Sequence, residues 1–337
     1  MAERSDTVTI RDVAERAGVS KSLVSLVLRG DPHVSDQRRR AVIEAMAELG
    51  YRPNRAARTL SSSRSGAVGV LLNDLRNPWF VDLLEGLTSI LQAADLTPVL
   101  SDSATVRLVG GDPVDSLTGL GVDGIVVVGT TPDGPALTEA AALLPIVLAG
   151  TRNPPLPYAD VAVDDDEAGG RLATDHLITL GHRRIAHLWG PGDVGGLRRD
   201  GFRTAMRAAG LDPERYAEAG GMSEESGYAA TRRLLALDEP PTAIFAFNDI
   251  SAVGALSAAA DAGVRVPAQL SLVGYDNTYL ARVRHISLTS VDNGNYAVGV
   301  QAGRFLVDRL EDPHRPARTA RVATSLHVRS TTAPPTS

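Results

Sequence analysis

Hydrophobic positions along this chain follow a helical period up to about residue 66 and a strand-and-helix alternation after it. In the first segment Ile10, Val13, Ala14 and Ala17 fall on one helical face. Leu23, Val24, Val27 and Leu28 form a second stripe, and Val42, Ile43, Met46 and Leu49 a third. The flanking polar residues set the ends. Thr9, with Asp12 three residues on, reads as a capping box. Gly18 permits the left-handed backbone that closes a helix, and Ser20 can cap the next. The third helix starts after Ser35 and stops at Gly50. Three short helices with a tight glycine turn between the first two describe a helix-turn-helix.

Beyond Gly66 the apolar runs "GAVGVLLN", "GVDGIVVVG", "PIVLAG", "RRIAHLWG", "TAIFAFND" and "QLSLVGYDN" are separated by helical stretches. That alternation predicts an α/β body of parallel sheets covered by helices on both faces. Two lobes fit, dividing near Val163 and crossing back near Val291; one large doubly wound domain is the alternative. Between Ser101 and Val122, Gly110, Gly111 and Pro113 interrupt an amphipathic pattern, which predicts a shortened helix. Folds of this class bind ligands beyond the carboxyl ends of their strands. Asn73 and Asp74, Asn248 and Asp249, and Asp276 all lie at such ends. Trp79 and Phe80 follow the first of them, and we expect one to face a ligand and the other to pack. Any single Asn or Asp after a strand is more commonly a helix cap; their joint placement favours a pocket.

Charge sharpens the division. The net charge is −6 over 337 residues, but residues 1–64 carry about +4 and the remainder about −10. A basic head on an acidic body suits a nucleic-acid module joined to something else, although local imbalances of this size are common. All basic residues but one are arginine, and the single lysine, Lys21, opens the second helix. Lys21, Ser22, Ser25 and Leu26 face away from the apolar stripe. In a major groove Lys21 could donate to a guanine edge, Ser22 to several bases, and Leu26 could touch a thymine methyl. A phosphate contact is the competing role for Lys21, and Arg38, Arg39 and Arg40 suit a solvated or phosphate-facing surface. The absence of cysteine excludes disulfides, thiolate metal sites and a cysteine nucleophile. No apolar run is long enough to span a membrane, and "MAERSDTVTI" lacks a signal-peptide core, so a cytoplasmic protein without membrane contact is expected.

The run from "VTIRDVAERAGVSKSLVS" through "HVSDQRRRAVIEAMAELGYRPNRAARTL" closely resembles the head and hinge of the lac repressor (LacI/GalR) family. The resemblance extends over residues 7–330. It implies a sequence-specific transcriptional regulator, a repressor acting as a homodimer on double-stranded operator DNA. DNA contacts are implied at Thr9, Ser20, Lys21, Ser22, Ser25, Leu26, Arg29, His33, Asn54, Arg55, Ala57 and Leu60. A hinge helix over residues 55–60 would order on DNA. Leu60 would then wedge into the minor groove, unless it packs against its own hinge. In the body, "GHRRIAHLWGPGDVGGLRRDGF" resembles the family's GHR…GP…R…GF segment, whose arginine, here Arg198, binds the effector. Asn248, Asp276 and Asn293 match further effector positions, and the turn carrying Asn73, Asp74, Trp79 and Phe80 lines the same pocket. Domains implied are residues 1–52 (head), 53–65 (hinge), 66–163 with 292–322 (N-terminal lobe), 164–291 with 323–332 (C-terminal lobe) and 333–337 (tail). The effector would be a sugar or polyol, with a nucleobase or a partner protein as the alternative controller.

Besides the interruption between Ser101 and Val122, two further departures from the family pattern limit the transfer. Ala149 and Gly150 stand where several relatives carry an effector-binding aspartate. The tail "RSTTAPPTS" has no leucine heptads, which points to a dimer and away from a tetramer. Other conspicuous groups have plainer roles. Gly190, Gly192 and Gly195, with Glu218 downstream, mimic a dinucleotide fingerprint and raise a nicotinamide-dependent enzyme as a rival. A secreted sugar-binding protein would explain the body but not the head. Acids at 164–167 suit a helix N-terminus, and His182 and His187 lack metal spacing. No catalytic motif, cofactor or metal is expected.

Overall fold

The computed structural model describes residues 8–28, 31–51, 64–132, 134–152, 156 and 158–336. The chain falls into two units, Met1–Ser65 and Gly66–Ser337.

The head is built from α1 (Ile10–Arg16), α2 (Lys21–Leu28) and α3 (Asp36–Glu48). The Asp12 carboxylate accepts from the backbone N–H and the hydroxyl of Thr9, at 2.6 and 2.7 Å, and so fixes the start of α1. Gly18 takes the left-handed conformation (φ 63°) between α1 and α2. Ser20 Oγ accepts from the Leu23 N–H at 3.2 Å. Val13, Ala14, Val24, Val27, Val34, Val42 and Ala45 form the core, with Leu26, Leu28, Met46 and Tyr51 packed around it. Two positions differ from the periodicity. Ile43 is 54% exposed, leaving Val42 and Ala45 to carry the buried face of α3. Leu26 is half-buried against the core and not wholly outward.

The body contains two six-stranded sheets. The first has the order β11-β5-β4-β3-β1-β2, from β1 (Ala67–Leu72), β2 (Thr97–Asp102), β3 (Gly124–Val128), β4 (Ile146–Ala149), β5 (Asp160–Asp164) and β11 (Thr319–Val322). The second has the order β12-β10-β9-β8-β6-β7, from β6 (Ile185–Trp189), β7 (Ala217–Ala219), β8 (Ala243–Phe245), β9 (Ser271–Tyr275), β10 (Thr289–Asp292) and β12 (Ser325–His327). All pairings are parallel except β10 with β12. The chain passes between the sheets after β5, β10 and β11, so two lobes share three crossovers.

The helices are α4 (Trp79–Ala93), α5 (Ser103–Leu108), α6 (Pro113–Gly119), α7 (Ala136–Ala141), α8 (Asp166–Thr179), α9 (Gly192–Ala208), α10 (Glu224–Leu235), α11 (Asp249–Asp261), α12 (Tyr279–Arg282) and α13 (Asn295–Glu311). The glycine-proline interruption produces two short helices, α5 and α6, with Asp112 capping the second. Three helix pairs approach through glycine. A Cβ at Gly86 of α4 would lie 2.1 Å from Tyr296 O of α13, and one at Gly254 of α11 would lie 2.0 Å from Glu224 O of α10. On α8 a Cβ at Gly170 would lie 2.3 Å from the carbonyl oxygen of Arg198 on α9. This last crossing brings the start of α8 against Arg198.

The C-terminal segment is not a free tail. Ala333 exchanges hydrogen bonds with Ser271 Oγ, its carbonyl oxygen lies 2.9 Å from His182 Nε2, and Thr336 donates to Ala268 O at 3.2 Å. No helix among the described residues is long and apolar enough to cross a membrane.

Candidate effector site and DNA-reading helix

Arg198, Asp276 and Asn293 meet in one hydrogen-bonded cluster. Arg198 Nη2 donates to Asp276 Oδ1 at 3.3 Å, and Asn293 Nδ2 donates to the same oxygen at 3.2 Å. All three residues are buried. Strand β9 ends at Tyr275, which puts Asp276 at its carboxyl end; Arg198 projects from α9, and Asn293 follows β10. The guanidinium is wedged between rings, 3.6 Å from the Tyr275 centroid and 4.8 Å from that of Phe247. Its Nη1 donates to Phe247 O at 2.7 Å, and Nε donates to Asp166 Oδ1 at 3.0 Å.

Asp166 carries the cluster further. Arg152, in the loop after β4, donates through Nε to the other Asp166 oxygen and through Nη2 to Asp164 Oδ1. The two arginines therefore grip one carboxylate from opposite sides, one from the first lobe and one from the second. Sequence reasoning placed Asp164 and Asp166 among helix-start acids and passed over Arg152. The acids are indeed at the start of α8, where Asp165 caps the helix, but Asp164 and Asp166 are buried ion-pair partners. An unpaired carboxylate would not tolerate such burial. An arginine in the loop beside Gly150 was the available signal.

Burial raises the Asp276 carboxyl to about 7, with Arg198 opposing the shift and Asp249 reinforcing it. Burial and the neighbouring Asp166 likewise push Asp164 up to about 7 against the pull of Arg152 and Arg198. For Arg198, burial alone would favour the neutral form; Asp276 and Asp166 outweigh it and hold the guanidinium charged. With three carboxylates facing two guanidiniums, the cluster has room for a proton.

The other candidates fall elsewhere. Asn248 caps α11: its Oδ1 accepts from Ser251 N at 2.9 Å and its Nδ2 donates to Met222 O at 3.3 Å. Asp249 accepts from Thr278 and Ser290, tying α11 to the strand ends. Asn73 Oδ1 accepts from Thr130 N at 2.9 Å, which joins the ends of β1 and β3. Asp74 is paired with Arg76 near the surface. Phe80 is buried in the first lobe's core, whereas Trp79 is half-buried and lies over Gly150.

The glycine fingerprint closes on itself. A Cβ at Gly195 would sit 1.9 Å from Gly190 O, and Gly190 abuts the Phe247 ring, so these glycines serve a tight strand-to-helix turn. Glu218 is held by Arg233. His187 is stacked on Phe245 with its Nδ1 against Phe245 O, and His182 lies between Thr242 and Ser271. Among the described residues no group of His, Cys, Asp or Glu is arranged to hold a metal ion.

In the head, Thr9, Ser20, Lys21, Ser22 and His33 are exposed, and Ser25 and Leu26 are half-buried. Lys21 and Ser22 form the first turn of α2, the end that a helix in a major groove presents to base edges. Arg39 donates to Asp31 O at 2.6 Å, so of the three consecutive arginines it has a structural anchor. Arg29, Asn54, Arg55, Ala57 and Leu60 lie outside the described residues.

Residues 9–54 match the model described as bacterial regulatory proteins, lacI family, and residues 174–332 match a periplasmic binding protein-like domain. The HTH-type transcriptional repressor PurR of Edwardsiella ictaluri is 33% identical over 332 residues, covering 96% of this chain and 97% of that protein. The chain belongs to the LacI family. The structure of the lac repressor dimer bound to operator and the anti-inducer ONPF superposes with a TM-score of 0.82 at 29% identity, covering 97% of this chain and all of that one. A transcriptional regulator CelR–cellobiose complex gives a TM-score of 0.71 at 31% identity, covering 96% and 99%. The chain is thus a DNA-binding transcriptional regulator of the LacI family with a two-lobed ligand-binding type of core, and not a nicotinamide-dependent enzyme.

Proposed function

We propose that the protein is a cytoplasmic, homodimeric repressor whose operator affinity is set by a small hydroxylated ligand, a sugar or polyol, held between the two lobes. The buried Arg198–Asp276–Asn293 cluster at the strand ends carries this reading. Its paired carboxylate, amide and guanidinium match adjacent hydroxyl groups, and the half-buried Trp79 ring offers an apolar face to a sugar ring. The CelR relative in complex with cellobiose supports a sugar over a lipid.

Regulation in this reading is a difference in affinity. Ligand binds one arrangement of the lobes better than the other, and DNA binds one arrangement better than the other; only that differential couples them. The hinge positions Asn54, Arg55, Ala57 and Leu60 would transmit the change, with Leu60 opening a base step. Lys21 and Ser22 would read base edges, and the half-site spacing would follow the dimer's two-fold axis.

The test is operator binding by the full chain, followed by fluorescence anisotropy at fixed salt, on promoter DNA from its own gene neighbourhood with a panel of sugars, polyols and nucleobases. One sugar or polyol that shifts the affinity supports the proposal. A shift by a nucleobase alone replaces the ligand class. Specific binding that no compound alters moves control to a partner protein, and the absence of specific binding sinks the regulator itself.

A further inference from the structure

The buried cluster contains polar atoms that find no partner among the described residues. Arg152 Nη2 and Asp164 Oδ1 are bonded to each other, yet Arg152 Nη1 and Asp164 Oδ2 are buried and have no hydrogen-bond partner among the described residues. On the same network Asn293 Oδ1 and the Tyr275 hydroxyl are likewise buried and unpartnered. Buried polar atoms without partners are rare in folded proteins, because each forfeits its hydration. Here a donor and an acceptor are left over on the two members of one ion pair.

Their position in the fold is informative. Arg152 follows β4 by three residues and Asp164 ends β5, so both stand at the carboxyl edge of the first sheet. Gly150, one step beyond β4, offers no side chain, and the Trp79 indole fills the space above it. On this side of the sheet the chain thus supplies polar groups from Arg152 and Asp164. Through Asp166 they are continuous with Arg198 and Asp276 of the second lobe.

We propose that Arg152 and Asp164 are specificity-determining residues of the effector site, presenting Nη1 and Oδ2, a donor and an acceptor on the two members of one ion pair, to a ligand that carries an acceptor and a donor on neighbouring atoms. The inference rests on the reading that a small ligand occupies the cleft. Two sources supply that chemistry: a vicinal diol of a sugar, or the N–H and C=O of a ring amide in a nucleobase. Arg152 also positions Asp166 against Arg198, so its substitution is read out together with a change in the ligand.

Isothermal titration calorimetry on the full chain tests this. The sugar arm uses D-ribose, D-glucose and cellobiose, each beside a deoxy counterpart lacking one hydroxyl; the ring-amide arm uses hypoxanthine beside purine. In the wild-type chain the intact member of a binding pair is expected to bind about 10- to 100-fold more tightly than its truncated counterpart. In Arg152→Lys and Asp164→Asn, each first shown by circular dichroism to be folded, that preference is expected to shrink toward unity. A purely structural role would weaken both members equally and leave the ratio intact. An unchanged ratio in both variants, or a wild-type chain indifferent to the missing group, overturns the assignment while leaving the ligand-controlled regulator standing. A wild-type chain that binds no compound in either arm overturns both.

Discussion

Trp79 lies over Gly150 so closely that a Cβ at Gly150 would stand 2.7 Å from the indole Cη2. Gly150 also has a φ of 72°, in the left-handed region that L side chains avoid. Gly150→Ala is therefore expected to cost about 1–3 kcal/mol, measured by chemical denaturation. Combining it with Trp79→Phe should cost less than the sum of the two changes, because the smaller ring removes the steric part of the penalty. Strict additivity would mean that the indole is not the obstacle.

Arg198 is as much a structural residue as a candidate ligand contact. Arg198→Met leaves Asp276 buried without its charged partner and Asp166 held by Arg152 alone, and a loss of about 3–5 kcal/mol in unfolding free energy is expected. Adding Asp276→Asn should recover part of that loss by removing one unpaired charge. A second change that deepens the loss would contradict the ion-pair account.

The cluster predicts a stability profile in pH. Asp164 and Asp276, both raised by burial to about 7 from an ordinary value of 3.8, bind protons in the folded chain that the unfolded chain has released. Their contribution is fully present below the unfolded value and is lost as pH rises through about 7. Asp249, pushed up to about 6 by burial, acts in the same sense. Melting temperatures of Asp276→Asn should fall less steeply between pH 4 and 7 than those of the wild type.

His187 produces the opposite slope. Burial lowers its imidazole to about 3 from 6.5, so its stability contribution is complete above the unfolded value and is lost as pH falls toward about 3. His187→Gln should flatten that acid limb. An identical limb in the variant would assign it to other groups.

Lys21 is the sole lysine and stands exposed in the first turn of α2. Lys21→Ala is expected to cost about 1–3 kcal/mol on the preferred operator and to relax selectivity at one base position, measured by anisotropy across operator variants. Uniform weakening, with the salt slope reduced by about one, would identify a phosphate contact instead.

Local chemistry made the head legible. Thr9, Asp12, Gly18 and Ser20 act on neighbours within one turn, so their spacing alone announces the helix boundaries. The buried apolar strands β1, β3, β4, β6, β8 and β9 were legible because burial on both faces writes a continuous hydrophobic run. The edge strand β2 contains Pro98, β7 carries Glu218 and is not buried, and β11 and β12 are half-exposed; none writes such a run. Arg198, Asp276 and Asn293 were reached through a family resemblance, because no spacing rule links residues 78 and 17 positions apart.

The tertiary structure alone decided which polar groups share a site. Asn248 and Asp276 look alike in sequence, both following a strand. The first caps a helix while the second takes Arg198 and Asn293, since only the packing of α8 on α9 determines where the guanidinium arrives. Arg152 and Asp166 gained their roles in the same way. Sequence determines caps, turns and buried runs because these are satisfied within a few residues; a buried charge network depends on which distant carboxylate remains near when the lobes have folded.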